Sequence, residues 1–191
     1  ANDQKVTAIS ATTCAILTDA NKDLCTTLGA ESTSGVTYGG VGSAGYYSVL
    51  APGQYTLMGK IAAATDKDLT ISTLTATVED GKYYSFFQSG IYNTTAKTVE
   101  AFIVEDPIPT PADYTVAYVR FVHASSNANP MTLYATNTTT GTETAVGALV
   151  AYKAAGAFTA LAPGAYNLGA RYSGSATNAI SRTNVSFTAG R

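Results

Sequence analysis

The chain carries one phrase twice. "AGYYSVLAPGQYTLMGK" occupies Ala44–Lys60 and "AGAFTALAPGAYNLGAR" occupies Ala155–Arg171, at a constant offset of 111 positions with eight identities in 17. Leu-Ala-Pro-Gly is intact each time, and a tyrosine follows two positions after the glycine. Proline fixes φ near about −65° at the second position of a turn, and glycine accepts the positive φ required at the third. Residues suited to a pleated surface lie on either side: "YYSVL" and "QYTLMGKI" in the first copy, "AFTAL" and "AYNLGARY" in the second. Each phrase therefore reads as a corner between two strands, with an architectural job.

The repeat extends outward. "ATVEDGK" (Ala76–Lys82) matches "VSFTAGR" (Val185–Arg191) in pattern, aligning Gly81 with Gly190 and Lys82 with Arg191. Between the copies runs "EDPIPTPAD", Glu105–Asp113, whose three alternating prolines favour a stiff extended spacer. Further strands are expected at Leu69–Val78, Tyr83–Gln88, Thr98–Glu105, Thr115–His123, Met131–Thr136 and Val185–Thr188. Many short strands with turn signals between them predict an all-β chain of two tandem immunoglobulin-like antiparallel β-sandwich domains. The boundaries are 1–106 for the first, 107–113 for a short Pro-rich linker and 114–191 for the second. After Lys82 the first copy continues "YYSFFQSGIYNTTAKTVEAFIVED", room for two strands, and nothing corresponds after Arg191. The second sandwich is expected to lack its last strands and so to expose an edge open to strand addition.

Composition agrees with a β fold and narrows the partners. Charged residues make up 13% of the chain, about half the usual globular share, while Thr, Ser, Gly, Asn and 13 Tyr take their place. Net charge is −2 with no basic run, which argues against nucleic acid as a partner. The longest uncharged stretch, Ser32–Gly59, is rich in Gly and Ser and includes Pro52, so no membrane span is expected. The start at "ANDQKVTAIS" reads as a mature form, exported through a signal peptide absent from this chain, with an extracellular or cell-surface location. Cys14 and Cys25 flank "AILTDANKDL". With Asp19–Ala20 at a hairpin tip the two cysteines oppose each other, about 4.5 Å apart in a non-hydrogen-bonded pair, within reach of a disulfide. Such a bond contributes roughly 3 kcal/mol and requires an oxidising compartment.

In the second copy, "VAYVRFVHASSNANPMTLYA" (Val116–Ala135) resembles the signature of a domain-of-unknown-function family of bacterial secreted and surface proteins. That signature is V-H-A-S, a short Ala/Pro loop, a strand with V-Y and a later A-G-x-Y. Val122-His123-Ala124-Ser125, Asn127–Pro130 and "LAPGAYNL" carry the likeness; the first copy matches only from about Gly45 onward. The resemblance implies a secreted or surface location and tandem immunoglobulin-like sandwiches. It implies no reaction.

Candidate chemistry is sparse. His123 is the only histidine, and its neighbours Ser125 and Ser126 are adjacent in sequence without the convergent third group of a triad. It is expected to end a strand and hydrogen-bond the following loop through its ring. One histidine and two cysteines are too few for zinc. Asp19, Asn21 and Asp23 have alternate calcium-loop spacing, but Leu24 stands where the loop requires Gly and Ala30 where it requires Glu, so they make only a weak calcium candidate. Glu79-Asp80 and Glu105-Asp106 read as solvated loop ends. Asn93, Asn137 and Asn184 head N-x-Ser/Thr triplets that arise readily in a Thr-rich chain. Tyr46, Tyr47, Tyr83, Tyr84 and Tyr92 are the candidates for a sugar-stacking surface, set against a role in filling the core.

These readings point to a non-enzymatic extracellular or cell-surface structural protein without a cofactor. Its expected partners are itself, as a filament or pilus-like subunit joined by strand complementation, or other surface proteins. The alternative is a carbohydrate-binding or adhesion module using exposed tyrosines.

Overall fold

The computed structural model describes residues 16–17, 39–41, 47, 49–61, 66, 69–110 and 112–190. Cys14, Cys25, Asp19, Asn21, Asp23 and Tyr46 lie outside the described residues. The described chain is all-β: every sheet is antiparallel, and no helix occurs among the described residues. It divides into two compact units, Ala1–Asp106 and Pro107–Arg191.

In the first unit, β1 (Ile16–Leu17), β2 (Gly53–Lys60) and β3 (Thr70–Val78) form one sheet in that order. A hairpin of β4 (Tyr84–Asn93) and β5 (Thr98–Glu105) forms the other. Gln88 of β4 reaches across to β3, where its amide donates to Ser72 Oγ at 2.8 Å. Ser72 lies opposite Gly59 of β2, and a Cβ at Gly59 would occupy the space of the Gln88 amide. Glycine is thus required there for the close approach of the second layer.

The second unit has β6 (Ala117–Val119) paired with β9 (Thr159–Leu161), and a four-stranded sheet ordered β11-β10-β7-β8. Their ranges are β7 Met131–Asn137, β8 Glu143–Val150, β10 Gly164–Tyr172 and β11 Ile180–Phe187. Ala135, Val146, Leu161 and Tyr166 form its buried core, with Val119, Leu133, Leu168 and Phe187 packed around them. Since Val119 and Leu161 come from the small sheet and the rest from the large one, the core lies between two layers.

The Leu-Ala-Pro-Gly corner has the same geometry in both units. Gly53 and Gly164 take φ of 155° and 156°, a region that essentially only glycine occupies. These are not the αL glycines of a type II turn expected from the sequence. Each is instead the first residue of a strand, β2 or β10. The tyrosine two positions on is buried, and its hydroxyl donates back to the carbonyl of the phrase's alanine: Tyr55 to Ala51 at 2.7 Å, Tyr166 to Ala162 at 2.8 Å. Each strand then pairs with the next along the chain in the same register, Tyr55 opposite Ala76 and Tyr166 opposite Val185. Gly81 and Gly190, beyond those partners, have φ of 70° and 72°.

A second shared device was not evident in the sequence. The β4–β5 loop "NTTAKT" and the β7–β8 loop "NTTTGT" are built alike. Asn93 Oδ1 accepts from the Thr95 and Ala96 amides, and Asn137 Oδ1 from those of Thr139 and Thr140. The fifth residue of each, Lys97 or Gly141, has φ of 53° or 71°.

Departures from expectation have local causes. Strand β8 was not anticipated, because Gly147 interrupts "ETAVGALV". Its φ of 73° accompanies a register shift against β7, so the strand continues through a bulge. "YYSVL" is not strand at Tyr47, Val49 or Leu50, and no partner strand is described for it. The expected strand Thr115–His123 is realised as β6 plus one bridge, Val122 to Ala155. The break falls at Arg120, whose guanidinium lies 5.1 Å over the Phe158 ring. Between the two named sheets of each unit, Pro107–Thr110 forms no strand, and Asp113 is pinned in a turn by the Thr115 amide and hydroxyl.

Two substitutions test these devices by urea unfolding. Tyr166→Phe keeps the ring, removes the bond to Ala162, and is expected to cost about 1–1.5 kcal/mol. A Cβ at Gly141 meets nothing within 4 Å, so Gly141→Ala should show backbone strain alone, about 1–2 kcal/mol, with Gly141→Asn intermediate.

Candidate functional site

His123 is 1% exposed. Its backbone closes a small ladder, donating to Ala154 O at 3.0 Å and accepting from the Lys153 amide at 2.8 Å. Its ring packs against Phe121 and, edge-on, Tyr152. Nδ1 accepts from the Ser125 amide at 3.3 Å and Nε2 lies 3.1 Å from the Asn129 carbonyl. The histidine therefore ties down the loop that follows it. With both ring nitrogens committed to backbone groups, neither is placed to take a proton from a Ser125 or Ser126 hydroxyl, the first need of a histidine-activated nucleophile.

A second polar centre lies in the first unit, and it overturns the reading of Asp106 as a solvated loop end. Asp106 is 3% exposed, and its Oδ2 accepts from the Tyr47 hydroxyl at 2.8 Å and the Ser85 hydroxyl at 2.7 Å. Its amide donates to Tyr83 O at 2.7 Å. The strand period explains the burial. Phe102 and Asp106 share parity along β5 and its continuation, so the carboxylate falls on the buried side. Glu105 is exposed and, with Glu79, flanks the Lys82 ammonium at 3.2 and 2.9 Å, an arrangement that raises the lysine's pKa.

Among the tyrosines singled out in the sequence, Tyr47 and Tyr83 come together, their rings 5.3 Å apart and edge-on. They are 50% and 47% exposed, while Tyr84 and Tyr92 are half-buried in β4. The buried tyrosines are Tyr55 and Tyr166. Among the described residues no three His, Cys, Asp or Glu side chains converge as a metal site would require. No helix there is long and apolar enough to cross a membrane.

The four-stranded sheet also carries a charged cluster that sequence spacing could not reveal, since its members come from β7, β8 and β10. Arg171 grips Glu143 with two bonds of 2.9 and 2.6 Å, donates to Asn178, and lies 4.4 Å over the Tyr134 ring. The Arg171 hydrogen bonds hold the Glu143 carboxyl below its ordinary range.

These features define a class: an all-β protein of two antiparallel units whose polar centres anchor loops and corners. A family model described as Domain of unknown function (DUF4397) matches residues 7–134, more than half of the chain. The chain belongs to that family. The matched span crosses the division between the units and includes Val122–Ser125, but ends before the second Leu-Ala-Pro-Gly. No curated protein and no solved structure matches the chain.

Glu143 gives a pH prediction with a definite sign. Its folded carboxyl is held below the ordinary value of 4.5, so the pair's contribution is complete above that value and is lost as pH falls through the lower folded one. In urea titrations at decreasing pH, Glu143→Gln should flatten the loss of stability of the second unit that the parent protein shows below about pH 4.5.

Proposed function

We propose that this chain is a non-enzymatic structural protein of the cell surface or extracellular space, built from two tandem immunoglobulin-like β-sandwiches and exported by a signal peptide. The observation that carries the reading is the tyrosine-to-carbonyl bond made at the same corner of both units. A tyrosine bonded back to a carbonyl a few residues upstream is a corner device of immunoglobulin-like sandwiches. The polar groups that could have served catalysis, His123 and Asp106, spend their bonds holding loops. A Cys14–Cys25 disulfide belongs to the same proposal and suits an oxidising exterior.

Self-association is the proposed mode of assembly, and the sheet edges limit its route. The edge strands β8 and β11 of the four-stranded sheet contain Gly147 and Asn184 at φ of 73° and 55°. Such kinks hinder a long added strand. The straighter stretch Ile180–Thr183 of β11 is the segment open to complementation, and Ile180 there is 49% exposed. Electron microscopy and size analysis of the natively purified protein should show oligomers or filaments, which Ile180→Lys should reduce to folded single chains. A strictly monomeric parent protein would remove the assembly proposal.

The second reading is a carbohydrate-binding or adhesion module, favoured by the half-exposed Tyr47–Tyr83 pair. The chain has no tryptophan, so tyrosine emission reports directly on ring stacking. A glycan ligand should alter that emission in the parent protein and leave a Tyr47→Ala, Tyr83→Ala double variant unchanged. Silence across a glycan array removes this reading.

A further inference from the structure

We propose that His123 is an acid-released latch for the loop Ala124–Pro130. The directions of its two hydrogen bonds fix the state of the ring. The Ser125 backbone N–H can only donate, so Nδ1 must present a lone pair; the Asn129 carbonyl can only accept, so Nε2 must carry the hydrogen. Only the neutral Nε2–H form satisfies both contacts. A proton added at Nδ1 would point at the Ser125 amide hydrogen, and that contact would turn from attraction to repulsion. Protonation of the ring and closure of the loop on Nδ1 are therefore mutually exclusive.

The surroundings confine the effect to the loop. The ring grips it near both ends, at Ser125 and Asn129, around a tip where Asn127 sits at φ of 58°. The backbone bonds of His123 to Ala154 and Lys153 do not involve the ring and persist in either charge state. The titratable groups on the elements around it are Tyr152 and Lys153 after β8, with Lys153 Nζ 5.4 Å from the Tyr152 ring centroid, and Arg120 on its own strand, over Phe158. The loop itself carries no charged residue. None of these groups supplies a negative charge in mild acid that could replace the lost contact. Acidification should free the loop while the four-stranded sheet stays closed. This inference stands on the ring geometry and does not depend on the structural-protein reading.

Because the chain has a single histidine, long-range proton–nitrogen NMR of the intact protein reads this one imidazole directly. At neutral pH the spectrum should show the Nε2–H tautomer. As pH falls, ring protonation and a roughly tenfold loss of Ser125 amide protection, corrected for intrinsic exchange, should share one midpoint; tenfold corresponds to about 1.4 kcal/mol, the scale of one hydrogen bond. The Tyr166 amide in β10 should stay protected through that range. In His123→Phe the remaining loop protection should not change over the same pH range. An Nδ1–H tautomer, a ring that protonates while Ser125 stays protected, or simultaneous loss of Tyr166 protection would each overturn the latch. If His123→Phe fails to fold, the coupled titration of the parent protein decides alone.

Discussion

One hydrogen bond, made twice, organises both halves of this molecule. A buried tyrosine hydroxyl reaches back four residues to an alanine carbonyl, across a proline and a glycine in a conformation that few other residues adopt. The bond satisfies a carbonyl at a bend, where no ladder partner is available, and lets the ring fill the core beneath the corner. It also fixes the angle at which the chain enters β2 and β10. Since directly opposed residues share a face, that angle determines which side chains of β3 and β11 face inward.

The buried polar groups follow the same logic. A buried donor or acceptor without a partner costs about 1–3 kcal/mol, so each such group must be placed where its bonds are complete. His123 and Asp106 meet this demand in different ways. The imidazole takes backbone groups on both of its nitrogens, which defines a loop; the carboxylate takes two hydroxyls, which joins the chain before β2 to the starts and ends of β4 and β5. In both cases the residue that looks most chemical in the sequence acts as a fastening.

Much of the fold was legible because it is written in local chemistry. The Pro-Gly phrase, the alternation along Thr98–Glu105 and the turn glycines mark β2, β5 and β10 within a residue or two. What escaped depended on partners distant in sequence. β8 was hidden by Gly147, which breaks the alternation and forms a bulge only because β7 lies beside it. Asp106 looked like a loop end since it follows a charged Glu105; strand parity with Phe102 was the available signal. The Arg171–Glu143–Tyr134 cluster spans three strands and left no trace in spacing. The ring bonds of His123 were foreseen, but not the directions that set its tautomer.

The twinned corner also bears on how the chain reaches its native state. A protein that contains the same hairpin twice has two strands competent to pair with either partner, and tandem homologous domains are prone to such misassembly. Here the pairing partners diverge where their sequences matter most. Thr73 and Leu74 in β3 stand where Arg182 and Thr183 stand in β11, and only β2 offers a glycine gap for the Gln88 amide. Each corner has its correct partner roughly 20 residues downstream, far closer than the rival copy. Loop closure over that short distance is fast, so proximity and mismatch together keep the two halves from exchanging strands.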